Sequence, residues 1–133
     1  MPYVFDTDIL SGLLRPRPSD ALIQRIGAVP STDQFTTAIS LGELIYGARR
    51  RGAADLERRI ERLLASLSVL PFEERAAREF GPLKAELEQQ GQPLAEADLR
   101  IAAIAIVAGF TLVSANVRHF SRVPGLYLEN WLT

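Results

Sequence analysis

The stretch DLRIAAIAIVAGFTLVSAN, residues 98–116, carries the fold in its spacing. From Leu94 to Ala108 almost every residue is apolar, so the segment reads as a helix with no wet face, and Gly109 supplies the flexible residue that closes such a helix. Phe110 to Ser114 follows as a continuous apolar strand rather than an alternating one. A strand apolar on both faces is what a parallel sheet covered by helices on each side requires.

Working outward, the same alternation of strand and helix recurs. Residues 2–5 predict a strand and Thr7 to Leu14 a short helix, stopped by the segment Arg15 to Pro18. Ser19 is a good N-cap for a helix reaching about Ala28. Gln34 to Ile39 predicts a strand, with a helix from Ser40 that carries Leu41, Leu44, Ile45 and Ala48 on one face. Leu56, Ile60, Leu63, Leu64 and Leu67 mark another helix, and Ser68 to Phe72 another strand. The period returns from Glu73 to Gln90, with Ala76, Ala77, Phe80, Leu83 and Leu87 inward and Gly81-Pro82 expected to kink or divide the helix. Leu126 to Leu128 predicts a short last strand. Residues 1–133 are expected to form a single domain, with no repeat or linker.

Composition excludes several chemistries. There is no cysteine, which removes disulfides, thiolate metal sites and thiol nucleophiles, and His119 is the only histidine. A metal site in this chain is therefore built from oxygen. Asp6 and Asp8 interrupt the first apolar run, so no secretory leader is expected there, and residues 101–110 are too short to span a bilayer. A soluble, cytoplasmic protein with no membrane partner is the expectation. The formal net charge of −1 gives no global attraction to nucleic acid. Lys84 stands alone among the basic residues and the rest are Arg, the better fork for phosphate oxygens, although high genomic G+C content has the same effect.

The segment PYVFDTDIL, residues 2–10, sets two acids directly behind a buried strand. An unpaired carboxylate there costs several kcal/mol. Asp6 falls at the carboxyl end of the first strand and Asn116 two residues beyond the strand 110–114, the edge at which open α/β sheets bind ligands. Glu43 and Asp98 fall near the starts of helices and approach the same edge. Two carboxylates about 4 Å apart repel by roughly 4 kcal/mol at an effective dielectric constant of about 20. Either protons stay bound or a cation is present. With oxygen donors alone, Mg²⁺ or Mn²⁺ fits best, and such a site suits phosphodiester cleavage.

Each residue has a competing role. Asp6 or Asp8 can cap the following helix, and Asp8 is assigned mainly to that role. Ser40-Leu41-Gly42-Glu43 has the form of a capping box. Asp98 gains from the helix dipole with or without a metal, while Glu96 points away from it. His119 is read as a packing or hydrogen-bonding residue.

Taken in order, VFDTDILSGLLR, ISLGELIYGARR, GQPLAEADLRIAAIAIVAG and LVSANVRHFSRVPGLYLENW resemble the PIN domain, and most closely the VapC toxins of bacterial toxin–antitoxin systems. The resemblance runs essentially end to end. It implies an α/β fold, a three-layer α/β/α sandwich with a four- to five-stranded parallel sheet, and an acidic pocket holding Mg²⁺ or Mn²⁺. Asp6, Glu43 and Asp98 match the family's first three acids, with Asp6 and Asp98 as metal ligands. Asn116 falls where many members carry a fourth acid and others an Asn, and its amide is the weaker ligand. Thr7 and Ser114 match supporting hydroxyls, and Asp8 replaces a more usual Asn.

By the same resemblance the chain is expected to be the toxin of a type II system, an endoribonuclease using a metal-activated water. Arg15, Arg49, Arg50, Arg51 and Arg118, with Arg17 and Arg122, are candidates for an RNA-binding rim, a solvated helix end being the equal alternative for each. A homodimer and a cognate VapB-like antitoxin lying over the pocket are implied, with an antitoxin Arg able to take the metal's place. Two other readings stand beside this one. The DTD motif is similar to that of haloacid-dehalogenase-type phosphatases, which would need a suitably placed Lys, and Asn116 admits a catalytically inactive PIN-fold RNA-binding module. The RNA class cleaved, the number of ions and the dimer geometry are not encoded in any motif found.

Overall fold

The computed structural model describes residues 1–132. Five strands, β1 (Tyr3–Phe5), β2 (Gln34–Thr37), β3 (Ser68–Leu70), β4 (Thr111–Val113) and β5 (Leu128–Glu129), form one sheet in the order β3-β2-β1-β4-β5, with every pairing parallel. The helices are α1 (Thr7–Leu13), α2 (Asp20–Gly27), α3 (Ala38–Arg50), α4 (Ala54–Leu64), α5 (Glu74–Gln89), α6 (Glu96–Ala108) and α7 (Val117–Phe120).

Neighbouring residues on the central strands serve opposite faces, as the two-residue period of a strand dictates. Val4 and Leu112 pack with Leu83, Leu87, Leu99, Ile101 and Phe120, contributed by α5, α6 and α7. Phe5 and Val113 pack instead with Ile9, Leu10, Leu22, Leu44 and Ile60 from α1 to α4. The expected three layers follow directly. Trp131 closes the second face, its ring edge-on to Tyr3 and Phe5 at centroid distances of 4.8 and 5.5 Å.

The sheet changes direction between β1 and β4. Successive strands from β1 step one way to β2 and β3, and β4 starts the other way. This is the switch point at which such sheets open a crevice beyond the carboxyl ends of their strands. The Asp6 N–H donates to Val113 O at 3.0 Å and the Ser114 N–H to Glu129 O at 3.0 Å, so the ladder runs on until the chain reaches that crevice.

Several boundaries differ from the sequence reading. β2 stops at Thr37 and α3 starts at Ala38, because the extended backbone of Thr37 lets its hydroxyl accept the Ser40 N–H at 3.1 Å. Ile39 is thus helical and Ser40 is not the cap. α5 continues through Pro82, which lies exposed, so the carbonyl it leaves without an N–H partner faces the solvated side of the helix. Ala77, expected inward, is exposed, while Ala76, Leu83 and Leu87 are buried. β3 and β4 are shorter than the apolar runs that contain them, β5 is displaced toward Glu129, and α7 and a 3-10 turn at Ser31–Asp33 have no apolar period to announce them.

Gly109 ends α6 at φ 73°, where a side chain meets its own backbone. Gly109→Ala is expected to destabilise the fold by about 1–2 kcal/mol in urea unfolding, even though no atom lies within 4 Å of the added methyl. An unchanged midpoint would contradict this reading of the cap.

Candidate active site

β1 ends at Phe5 and the next residue, Asp6, takes the N-cap position of α1 with an extended backbone. The residue is only 5% exposed. Oδ1 accepts the Thr7 N–H at 2.7 Å and Oδ2 accepts the Ser114 hydroxyl at 2.8 Å. The Ser114 oxygen also accepts the Asn116 N–H at 2.9 Å, tying the β4 end to the β1 end. Two donors do not compensate for lost water. Burial first, then the charge of Asp8 and more weakly that of Asp98, raise the Asp6 pKa from 3.8 to about 7 against those hydrogen bonds. A shift of that size corresponds to on the order of 4 kcal/mol, a large share of the 5–15 kcal/mol stability of an ordinary domain.

Glu43 lies in the second turn of α3, not the first, because Thr37 is the cap. The capping-box role is therefore excluded by geometry. The Thr7 hydroxyl donates to Glu43 Oε1 at 2.7 Å and lies 2.9 Å from Ser40 Oγ, which lies 3.4 Å from Thr37 Oγ1. A file of three hydroxyls thus holds the α3 acid against α1. Asp98 stands in the first turn of α6. Burial, followed by the charge of Glu43, raises its pKa, while His119 pulls it down. His119 itself is exposed on α7.

Asp6, Thr7, Asp8, Ser11, Arg15, Glu43, Asp98 and Asn116 line one cleft of about 350 Å³. Asp6, Thr7, Glu43, Asp98 and Asn116 are residues the sequence nominated, and Ser114 braces the cleft from behind through Asp6. Among the described residues no three His, Asp or Glu side chains form a ready-made metal cage. Asp8 is the residue the sequence reading misjudged. It does not cap α1, since Asp6 holds that position, and its Oδ2 instead accepts the Ala115 N–H at 3.2 Å. Burial raises the Asp8 pKa as well. Only the i, i+2 spacing from Asp6 pointed to it, and capping explains that spacing equally well.

The arginines divide. Arg15 lines the acidic cleft and also, with Arg51 and Arg59, an adjoining groove of about 430 Å³. Arg59, absent from the sequence nominations, donates to Leu14 O. Arg49 pairs with Glu57, and Arg50 and Arg118 are exposed and line neither cavity. Lys84, which a phosphatase reading requires, sits on α5 at 3.9 Å from Glu96 and lines neither cavity.

Comparison with known proteins agrees with this fold. Residues 3–126 match the family described as PIN domain. The chain is 35% identical to Ribonuclease VapC2 of Haemophilus influenzae over 99% of each chain. It is 36% identical to the tRNA(fMet)-specific endonuclease VapC of Salmonella typhimurium over 98% of each. The crystal structure of VapBC2 from Rickettsia felis bound to a promoter DNA fragment contains a chain that superposes with a TM-score of 0.90 at 30% identity, covering 98% of this chain and 99% of that one. The chain is a PIN-domain protein of the VapC family.

For a VapC-family cleft the electrostatics have a direct consequence. The raised Asp6 pKa means that the native state holds a proton the unfolded chain has released between about pH 4 and 7. This contribution is complete below pH 3.8 and is lost as pH rises through about 7. Without divalent ions, the melting temperature is expected to fall from pH 5 to pH 8, and Asp6→Asn to flatten that slope. A steeper slope in the variant would contradict the assignment.

Proposed function

We propose that this VapC-family protein is a Mg²⁺- or Mn²⁺-dependent endoribonuclease, the toxin of a toxin–antitoxin pair. The observation that carries the reading is the cleft itself, where Asp6, Glu43, Asp98 and Asn116 from four separate segments face one space beyond β1 and β4. The relatives' names as ribonucleases and endonucleases give the reaction class.

The donor set fits a hard divalent cation. Every candidate ligand is oxygen, the buried acids are held above their ordinary pKa, and Asp8 Oδ1 is buried without a hydrogen-bond partner. Mg²⁺ is commonly held by one or two carboxylates with waters and substrate phosphate filling the remaining positions, so the lack of a closed protein cage agrees with it. Asp6 and Asp98 are the residues that would hold the ion, with Glu43 and Asn116 beside them. When bound, such an ion polarises the phosphate and lowers the pKa of a water for in-line attack.

The chain's own groups supply the rest. Ser114 and the Thr7 amide fix the Asp6 carboxylate, and the Thr7 hydroxyl fixes Glu43. Glu43, more exposed than Asp6, is the acid best placed to accept a proton from an incoming water. Arg15, at the junction of cleft and groove, offers a fork to a substrate phosphate, and Arg51 and Arg59 extend that charge along the groove. Arg49, Arg50 and Arg118 would contribute only to an outer rim.

A VapB-like antitoxin, a homodimeric assembly and a cytoplasmic setting complete the proposal. The Rickettsia felis relative was crystallised as VapBC2, which supports such a partner. An antitoxin arginine entering the cleft would satisfy the same carboxylates a cation satisfies. Among the described residues no helix is long and apolar enough to cross a membrane.

Purified protein is expected to cleave RNA with Mg²⁺ or Mn²⁺ and to stop on addition of EDTA. Asp6→Ala and Asp98→Ala should each reduce cleavage by more than about 100-fold, and Thr7→Val, which releases Glu43, by about 10- to 100-fold. Mapping RNA 5′ ends in cells expressing wild type against Asp98→Ala identifies the target. Undiminished cleavage in EDTA or in Asp98→Ala would overturn the mechanism.

A further inference from the structure

We propose that Asp8 is an additional cation-binding carboxylate of this cleft, serving the side where Asn116 offers only a neutral amide. The inference rests on the metal-dependent reading above and deepens it. Asp8 is the second residue of α1 and lines the cleft with Asp6, Asp98 and Asn116. Its Oδ2 is committed to the Ala115 N–H, the residue before Asn116, so the carboxylate is fixed against the turn that follows β4.

Its other oxygen is different. Oδ1 is buried and has no hydrogen-bond partner, and none of the ion pairs among the described residues includes Asp8. A buried carboxylate oxygen without a donor is disfavoured unless something positive or protic meets it. Of the nearby amides, Thr7 N is engaged with Asp6, Ala115 N with Asp8 Oδ2 and Asn116 N with Ser114, while the Asp8 and Ile9 amides and the neighbouring Asp6 carboxyl offset the burial of the Asp8 carboxylate only in part. Arg15, the one guanidinium lining the cleft, is exposed and makes no ion pair with Asp8. A hard cation carrying its own waters satisfies both the free oxygen and the excess negative charge.

The contrast between Asp8 and Asn116 makes this specific. A divalent ion prefers a carboxylate to an amide, and the two residues are joined through one turn. Charge at either position should therefore serve the same part of the cleft. Asp8 accordingly supplies the negative charge that Asn116 lacks.

Isothermal titration of the full chain with MnCl₂ tests this directly. Asp8→Asn keeps an oxygen for the Ala115 N–H, and unchanged or higher melting without metal will report an intact fold. The variant is expected to bind Mn²⁺ about tenfold or more weakly than wild type, and Asp8→Asn combined with Asn116→Asp to recover most of that loss. If Asp8→Asn binds as tightly as wild type while Asp98→Ala does not, the role of Asp8 is overturned and the metal-dependent reading stands. Failure of the double variant to recover affinity also overturns it, because charge would not be the cause. If wild type binds no Mn²⁺, both fall together.

Discussion

The Asp6 side chain is nearly buried, and the rest of the acidic cleft is arranged around that fact. A charge in this position repels Asp8 and Asp98 and is opposed only by a hydroxyl and one amide, so its pKa rises to about 7. The position is not optional. Asp6 follows immediately on a strand whose residues Val4 and Phe5 are fully buried on opposite faces, and the ladder bond to Val113 O fixes where the chain leaves the sheet. The fold thus builds a cleft whose ionised form costs stability, and under the proposed function a bound cation or a partner's cationic group would restore it.

Sheet order explains why remote residues meet. Because β1 lies between β2 and β4, the segments after these three strands surround one point. Thr7 and Asp8 come from the first, Glu43 from the helix after the second, and Asn116 from the turn after the third. Asp98 arrives from the other face on α6, whose apolar surface is buried on nearly all sides and leaves its first turn as the polar end. Two of the acids are also pinned by a hydroxyl, Asp6 by Ser114 and Glu43 by Thr7. Placement at the switch point and anchoring by hydroxyls together turn weak local signals into one electronegative cleft.

The apolar pattern made much of this legible. The strand readings at residues 2–5 and 110–114 led to buried parallel strands, which the structure trims to Tyr3–Phe5 and Thr111–Val113, and Gly109 marked a helix end that the structure places in the left-handed region. The nominations of Asp6, Glu43, Asp98 and Asn116 came from one rule, that ligands gather at the carboxyl ends of strands, and from resemblance to PIN domains. What stayed hidden depended on single hydrogen bonds. Choosing Thr37 over Ser40 as cap turns on one backbone conformation, and it decides whether Glu43 caps a helix or faces the cleft. Asp8 was obscured because an acid just behind a strand end is explained as well by helix capping as by lining a cleft. The arginines separated only in three dimensions, where Arg49 is paired and Arg59, unremarkable in sequence, lines the groove.

On the proposed function, these carboxylates share one divalent cation site. Anomalous diffraction from crystals soaked in Mn²⁺ tests it most directly. A peak at about 2.0–2.2 Å from oxygens of both Asp6 and Asp98 is the predicted result. A map with no peak in the cleft, or with the two carboxylates turned apart into solvent, would contradict it.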